Sequence, residues 1–464
     1  MIKIFNHYFH RRTLLQVTVY SALIIGALIF ALILQVDARS VNSQAIAAGL
    51  SRGLLMAIGI VIANFALGLY GRATQLTLGQ IRARAVLSFF ISVLIMGTVL
   101  LLLPLEPPFK NGRTLATLLL IISGMLVIRL FGGALIPPSY ARQRVLIFGI
   151  GARARMVGES LQKNDPSTEL VGYFSGPRET EAEVSAWGVL PPGPTLTEVV
   201  KTYRVDEIVV ALNERRGGSM PMRELLDCKL NGIRVVDIAT HFEQFLGQIR
   251  LDAVSAGWLI FGNGFNQGFT RSMVKWVFDI VGSSVLLLLA SPVMLVTSVL
   301  ILLEGGGPIF YRQERVGLHG RTFNVIKFRS MRNDAEKDGT PRWASAGDAR
   351  VTRMGKIMRK MRIDELPQLF CVLKGDMSLV GPRPERPFFV DRLTQEIPYY
   401  AVRHSVKPGL TGWAQVRYHY GASVEDTAQK LQYDLYYVKN NSWFLDLVVL
   451  FETVGVVLTG KGAQ

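Results

Sequence analysis

The chain has 464 residues, half of them hydrophobic, and a net charge of +16. Its mean hydropathy of +0.30 is high, and the apolar excess falls in runs instead of spreading along the chain, which argues against a wholly soluble protein. The two cysteines, Cys228 and Cys371, are far apart with no Cys/His cluster, so neither a disulfide framework nor a zinc site is expected; the positive charge gathers beside apolar runs, which favours anionic lipid heads and phosphate-bearing ligands over nucleic acid.

Residues 1–140 read as a four-span transmembrane bundle, with apolar runs at about Leu14–Val36, Gly53–Tyr70, Ala85–Pro104 and Thr114–Gly133. Flanking cations set the orientation. Lys3, Arg11 and Arg12 precede the first run, Arg72, Arg82 and Arg84 separate the second from the third, and Arg142 and Arg144 follow the fourth. The other two loops carry Arg39 with Arg52 and Lys110 with Arg113. The bias places the N-terminus and everything after residue 140 on the cytoplasmic side.

From residue 141 to 250 short apolar strands alternate with amphipathic helices. Strands are expected at Arg144–Phe148, Leu170–Phe174, Glu207–Leu212 and Arg234–Ile238, with helices at Leu196–Tyr203 and Met222–Leu230, so a parallel, helix-covered, Rossmann-like α/β domain is predicted. Its first turn reads G-x-G-x-x-A through Gly149, Gly151 and Ala154, a pattern that can bring backbone N–H groups to a pyrophosphate. The second strand ends in Phe174-Ser175-Gly176, where a ribose-binding acid would be needed. No redox cofactor is therefore expected, and a structural or regulatory role is favoured.

A Gly-rich linker at about 251–270 leads to a third domain, 271–464, of α+β type. It opens on the apolar run Met273–Leu303, which contains Ser291-Pro292. Arg271 and Lys275 lie before this run, and Arg312, Arg315, Arg321 and Lys327 follow it. Cations on both flanks predict a re-entrant helix that turns back at the proline, with the Ser291 hydroxyl taking up a carbonyl freed there.

The catalytic candidates lie in Arg362-Ile363-Asp364-Glu365-Leu366-Pro367-Gln368-Leu369. Pro367 suits the first turn of a helix and Asp364 the cap before it, where the helix dipole would lower the acid's pKa. An ionised Asp364 can attack phosphorus, and Asp364 with Glu365 could share Mg²⁺. Downstream, Gly381-Pro382-Arg383-Pro384 fixes an arginine between prolines, a bidentate fork for phosphate. Upstream, Phe323–Met331 alternates as a strand would, aiming Lys327 and Arg329 at one face.

These residues, with Ser291-Pro292, Phe310-Tyr311-Arg312-Gln313-Glu314-Arg315-Val316-Gly317 and Pro408-Gly409-Leu410-Thr411-Gly412-Trp413-Ala414-Gln415, resemble the bacterial polyprenyl-phosphate phosphoglycosyl transferases of the monotopic type. The spans and the Rossmann-like domain are similar to the long form, so the resemblance covers the whole chain. Arg417-Tyr418-His419-Tyr420 departs from the Asn-Gly pair of many members, which leaves the sugar open. The resemblance implies transfer of a sugar-1-phosphate from a UDP-sugar to polyprenyl (undecaprenyl) phosphate at the cytoplasmic face of the bacterial inner membrane, initiating surface-polysaccharide synthesis. Asp364 would attack the sugar-bearing phosphate and expel UMP, and polyprenyl phosphate would then attack the phosphosugar-Asp364 intermediate. Glu365 would assist with metal and proton, while Lys327, Arg329, Arg362, Arg383 and Arg315 would hold phosphates. The expected partners are the UDP-sugar, polyprenyl phosphate and the bilayer, with a homodimer as a candidate assembly. An NAD-dependent nucleotide-sugar dehydratase is the alternative, although it would want a Tyr-x-x-x-Lys pair that this sequence lacks. A non-catalytic membrane scaffold fits the Asp364-Glu365 surroundings less well.

Overall fold

The computed structural model describes residues 2–4, 7–9, a few positions between 18 and 26, then 43–67, 69, 78–103, 112–131, 143–332 and 350–459, apart from 165–167, 178, 180–181, 186–187, 192, 213–219, 255, 263, 266–267 and 419–422. The expected first span, Leu14–Val36, lies almost wholly outside the described residues. So do His419, Tyr420 and the side chains of Lys3, Arg11, Arg12, Arg39, Arg72, Lys110, Arg113 and Arg142. Contacts divide the chain into two units, His10–Phe245 and Leu246–Gln464; the latter also includes Met1–Phe9. Those first residues carry a short antiparallel hairpin, β1 (Ile2–Ile4) and β2 (His7–Phe9).

The first unit opens with three helices rich in Leu, Ile and Ala: α1 (Ser43–Ala66), α2 (Leu78–Leu102) and α3 (Gly112–Phe131). They bury Met56, Ile60, Met96, Ile122 and Met125 between them and leave Leu54, Ile58, Phe90, Leu94 and Leu120 exposed. Arg52 Nε donates to Leu103 O (3.0 Å) and Arg84 Nη1 to Leu67 O (2.8 Å), so α1 and α2 run antiparallel. Among the described residues two helices are long and apolar enough to cross a membrane: α2 over Arg82–Leu102, and the helix Phe269–Gly305 of the second unit.

A parallel α/β part follows. Strands β3 (Gln143–Phe148), β4 (Thr168–Phe174), β5 (Glu207–Val210) and β6 (Arg234–Asp237) form one parallel sheet in the order β4-β3-β5-β6. Between and beyond them lie α4 (Ala152–Asn164), α5 (Leu196–Thr202), α6 (Met222–Leu230) and α7 (Ile238–Leu246). Successive strand residues face opposite sides, yet Val145, Leu146, Ile147 and Phe148 are all buried, which is the pattern of a sheet covered on both faces. One side packs Leu146, Phe148, Ile208 and Val210 against Leu196, Val199 and Val200 of α5 and Leu225 and Cys228 of α6.

In the second unit, residues 246–250, expected in the α/β domain, and the expected linker at 251–270 both contact the body that follows. Gly247 O accepts Trp413 Nε1 (2.7 Å), Ile249 N donates to Gln432 O (2.9 Å), and α8 (Ala256–Phe261) places Trp258 under Lys439, 3.8 Å from Nζ to the ring centre. The long helix α9 (Phe269–Gly305) runs 37 residues with Pro292 inside it. Pro292 cannot donate to the Leu288 carbonyl, and the Ser291 hydroxyl does so instead at 2.8 Å. The residues on both sides of Pro292 are helical, and this hydroxyl replaces the missing backbone donor at the point where the sequence suggested a break.

Both ends of α9 hold the same folded body. Near its start, Lys275 Nζ donates to Asp446 Oδ2 (2.8 Å) and Val380 O (3.1 Å), and Asp279 Oδ1 accepts from Ser378 Oγ (2.9 Å) and Leu379 N (3.0 Å). Near its end, Met294 and Ile301 pack with Phe328 and Met358, and Glu304 Oε1 accepts from Met354 N (3.1 Å). The body comprises the antiparallel pair β7 (Phe310–Val316) and β8 (Thr322–Phe328), helices α10 (Arg353–Lys360) and α11 (Gln368–Lys374), strand β9 (Ser378–Val380), α12 (Pro387–Glu396), strand β10 (Gly409–Thr411), which runs parallel to β9, and helices α13 (Trp413–Arg417), α14 (Val424–Asn440) and α15 (Trp443–Thr459). The whole is a mixed helix and sheet protein.

Candidate active site

Asp364 and Glu365 sit in a 3₁₀ turn, Ile363–Glu365, just before α11. Arg362 enters that turn at φ 55°, ψ 23°, a left-handed conformation that a non-glycine residue adopts only where surrounding structure enforces it. Pro367, not Asp364, is the cap of α11, and no side chain caps that helix. The expected capping role of Asp364 is therefore replaced by a tighter turn that presents both carboxyls ahead of the helix.

The two acids are treated differently. Glu365 Oε1 accepts from Arg383 Nη2 at 2.8 Å and lies 3.5 Å from Lys327 Nζ, while Oε2 lies 3.7 Å from Arg362 Nη1. Burial alone would raise the Glu365 pKa, but Arg383, Lys327 and Arg362 outweigh it and hold the carboxyl well below the usual range. Asp364, equally buried, has no hydrogen-bond or ion-pair partner among the described residues. Burial and the adjacent Glu365 charge raise its pKa, with Lys327, Arg359 and Arg383 opposing from a distance. Desolvation and the neighbouring Glu365 charge thus raise the pKa that a helix terminus was expected to lower, and Asp364 does not cap the helix.

Lys327 reaches the site from β8, and burial pushes its pKa down to about 8 despite Glu365. Arg383 arrives on the loop after β9. That loop lies tight against β10: Gly381 N donates to Thr411 O (2.9 Å) and Gly409 N to Pro382 O (3.0 Å), and a Cβ at Gly409 would overlap the Gly381 backbone. Asp364, Glu365, Lys327, Arg362 and Arg383 are therefore brought together. Arg315 stands at the edge of the cluster: its charge acts on Lys327, and its guanidinium donates to Pro384 O (3.1 Å) and Gln313 Oε1 (2.6 Å), bracing the Arg383 loop. Arg329 lies past the end of β8 and points elsewhere, donating to Gly306 O (2.6 Å) and Gly307 O (2.8 Å) after α9. The alternation that would place it beside Lys327 does not continue beyond Phe328.

The glycine turn of the α/β part has a different occupant. Gly149 takes φ +135°, and a Cβ there would lie 2.7 Å from Ala211 O, so the position needs glycine. Ile150 N and Gly176 N donate to Glu179 Oε2 at 2.9 and 3.3 Å. An acid of the chain itself thus takes backbone donors that a phosphate would need.

Sequence reasoning missed a second layer. Arg403, buried beside Asp434 and Tyr400, donates to the Arg383 carbonyl (2.9 Å). Its ion-pair partner is 31 residues away, so no periodicity marks it; the only sequence signal is a charged residue beside the Pro408–Thr411 motif.

This arrangement has relatives. The profile of a family described as bacterial sugar transferase matches residues 270–460. A UDP-glucose:undecaprenyl-phosphate glucose-1-phosphate transferase of Xanthomonas campestris is 33% identical over 332 residues, 69% of this chain and 68% of that protein. The chain belongs to the bacterial sugar transferase family. A UDP-N-acetylgalactosamine-undecaprenyl-phosphate N-acetylgalactosaminephosphotransferase of Aeromonas hydrophila is 43% identical to this sugar transferase over 261 residues, 56% of the chain and 61% of the relative's own length. An uncharacterized sugar transferase of Bacillus subtilis is 42% identical over 192 residues, which is 41% of this sugar transferase but 91% of the relative. That short relative corresponds in extent to less than half of this chain, so family membership does not require everything present here.

Proposed function

We propose that this sugar transferase moves a sugar-1-phosphate from a UDP-sugar to undecaprenyl phosphate, yielding a polyprenyl-diphosphate sugar and UMP. The observation that carries the chemistry is the asymmetry of the acidic pair. Three cations surround Glu365, one of them hydrogen-bonded to it at 2.8 Å, and hold it ionised. No described residue binds the Asp364 oxygens, and with its raised pKa Asp364 is the more basic of the two. An Asp364 oxygen attacks the phosphorus that carries the sugar; the bond to the bridging oxygen breaks, and UMP leaves with that electron pair. The polyprenyl phosphate oxygen then attacks the same phosphorus and returns the Asp364 carboxylate. Arg383 and Lys327, already side by side on Glu365, can turn a donor each to the incoming phosphates and offset the repulsion between carboxylate and phosphate.

A magnesium ion, when bound, would neutralise diphosphate charge. Among the described residues no group of three metal-ligating side chains occurs, and Glu365 is occupied by cations. Asp364 is the side chain that fits, because Mg²⁺ commonly takes one or two carboxylates together with substrate phosphates and water.

The membrane arrangement belongs to the same reading. A straight helix of 37 residues is about 55 Å long, far more than a hydrocarbon core of about 30 Å. Its start binds Asp446 and β9 while its end binds Met354 and β8, one folded body that stays outside the bilayer. A helix bent near Pro292, dipping in and returning, satisfies both. We place the catalytic unit on the cytoplasmic face of the inner membrane, anchored also by four N-terminal spans, with a Rossmann-like regulatory domain between. The relatives named above lend no support to a dehydratase. Incubating the full chain with UDP-sugars and measuring UMP tests the function: release that depends on polyprenyl phosphate for turnover is expected, and its absence with every UDP-sugar overturns it. Cysteine labelling near Arg271 and near Arg315 should report the same side of the membrane.

A further inference from the structure

Buried ion pairs are weak devices for stability, since well-packed apolar side chains of similar volume often serve as well. The pair Arg403–Asp434 therefore asks for a second reason to exist. Arg403 is 6% exposed and Asp434 2%. Arg403 Nε and Nη2 lie 3.1 and 2.8 Å from Asp434 Oδ2, Nη1 donates to the Tyr400 hydroxyl (2.8 Å), and Nη2 also donates to the Arg383 carbonyl at 2.9 Å. Asp434 and Tyr400 thus fix the plane of a guanidinium whose remaining task is to hold one backbone atom.

That atom belongs to the residue whose side chain donates to Glu365. Pro382 and Pro384 restrict the loop on either side, and β10 holds Gly381 and Pro382 through backbone bonds. The Arg383 carbonyl is the point these restraints leave over. We propose that Arg403 is a positioning residue for Arg383, setting from behind the direction in which the Arg383 guanidinium meets substrate phosphate. The role rests on the function proposed above.

The test uses the full-length protein in detergent or nanodiscs, with initial rates of UMP release as UDP-sugar is varied at saturating polyprenyl phosphate, and thermal unfolding measured in parallel. The double variant Arg403→Met/Asp434→Leu removes the pair without stranding a buried charge. It should unfold near the wild-type midpoint and show a KM for UDP-sugar raised roughly ten-fold or more, the size expected for misdirecting a charged hydrogen bond. A folded double variant with wild-type KM overturns the positioning role. So does a fall in kcat alone, which is what a smaller folded fraction would give. Arg403→Lys covers the case in which the double variant does not fold. It keeps a cation opposite Asp434 but loses the planar fork, and its KM should rise less than that of the double variant; a wild-type KM there also overturns the role. Wild-type protein that releases no UMP overturns both the function and this role, whereas the outcomes above remove only the role.

Discussion

Two regions of this protein bring a carboxylate to groups suited to phosphate, and they do opposite things with it. In the α/β part Glu179 lies on the neutral backbone donors Ile150 N and Gly176 N, and the glycine turn is closed by its own chain. In the catalytic unit Glu365 lies on Arg383, Lys327 and Arg362, and no described residue claims the neighbouring Asp364. The first carboxylate takes up two backbone donors at the glycine turn. The second gathers cations, which in the function proposed above would serve an incoming phosphate. A glycine pattern and an acidic pair thus say little alone; what decides is whether the surrounding charge exceeds what the acid consumes.

The largest effect should come from the unclaimed acid. Asp364→Asn is expected to lower kcat by roughly 10³-fold or more while UDP-sugar still binds, since it removes a nucleophile and not a binding cation. With labelled UDP-sugar and no lipid acceptor, the wild-type protein should retain label on the peptide containing Asp364. Ternary-complex kinetics without such an adduct would reduce Asp364 to a base or metal ligand. Next in size is Arg383→Ala, which takes away the closest partner of Glu365; kcat/KM for UMP release should fall about 100-fold, with Arg383→Lys recovering only part, because a point charge does not replace a fork.

The pH profile follows. Lys327 is charged below its pKa of about 8 and neutral above it, so the rate of UMP release should decline as pH rises through that value. Lys327→Arg should move the alkaline limb upward, because a guanidinium keeps its charge; a limb that stays in place assigns it to another group. The smallest effect is expected in the other region. Glu179→Gln should leave UMP release unchanged and cost about 1 kcal/mol of stability, measured by thermal unfolding, from weakened bonds to Ile150 N and Gly176 N. A change in turnover there would mean that the closed turn communicates with catalysis, and the contrast between the two regions would fail.

Much of this was legible in advance, for identifiable reasons. The strand expected at Arg144–Phe148 and found at Gln143–Phe148, and the helix Met222–Leu230, announce themselves by local apolar pattern. Asp364, Glu365, Lys327 and Arg383 were readable as a set because each sits in a compact motif whose residue types suit phosphate. The Asp364 environment was not, since an αL arginine replaces the helix cap with a tight turn, and no residue type signals that. Arg329 was misdirected by extending strand alternation past Phe328. Arg403–Asp434 and Lys275–Asp446 escaped altogether, because pairs closed across 31 and 171 residues leave no periodic trace.

That last pair has a consequence for how the protein is made. Lys275 and Asp279 are synthesised early in α9, while the partners of Lys275 come 105 residues later at Val380 and 171 residues later at Asp446. At about 5–20 residues per second, a ribosome needs roughly 10–30 s to cover the longer gap. Through that interval a lysine and an aspartate on a helix otherwise greasy enough for lipid have only each other, and hydrocarbon is a costly place for them to wait. In the membrane arrangement proposed above, this part of the helix would rest at the headgroup level until α15, which bears Asp446, is made. On that reading, final seating in the bilayer would follow the synthesis of α15.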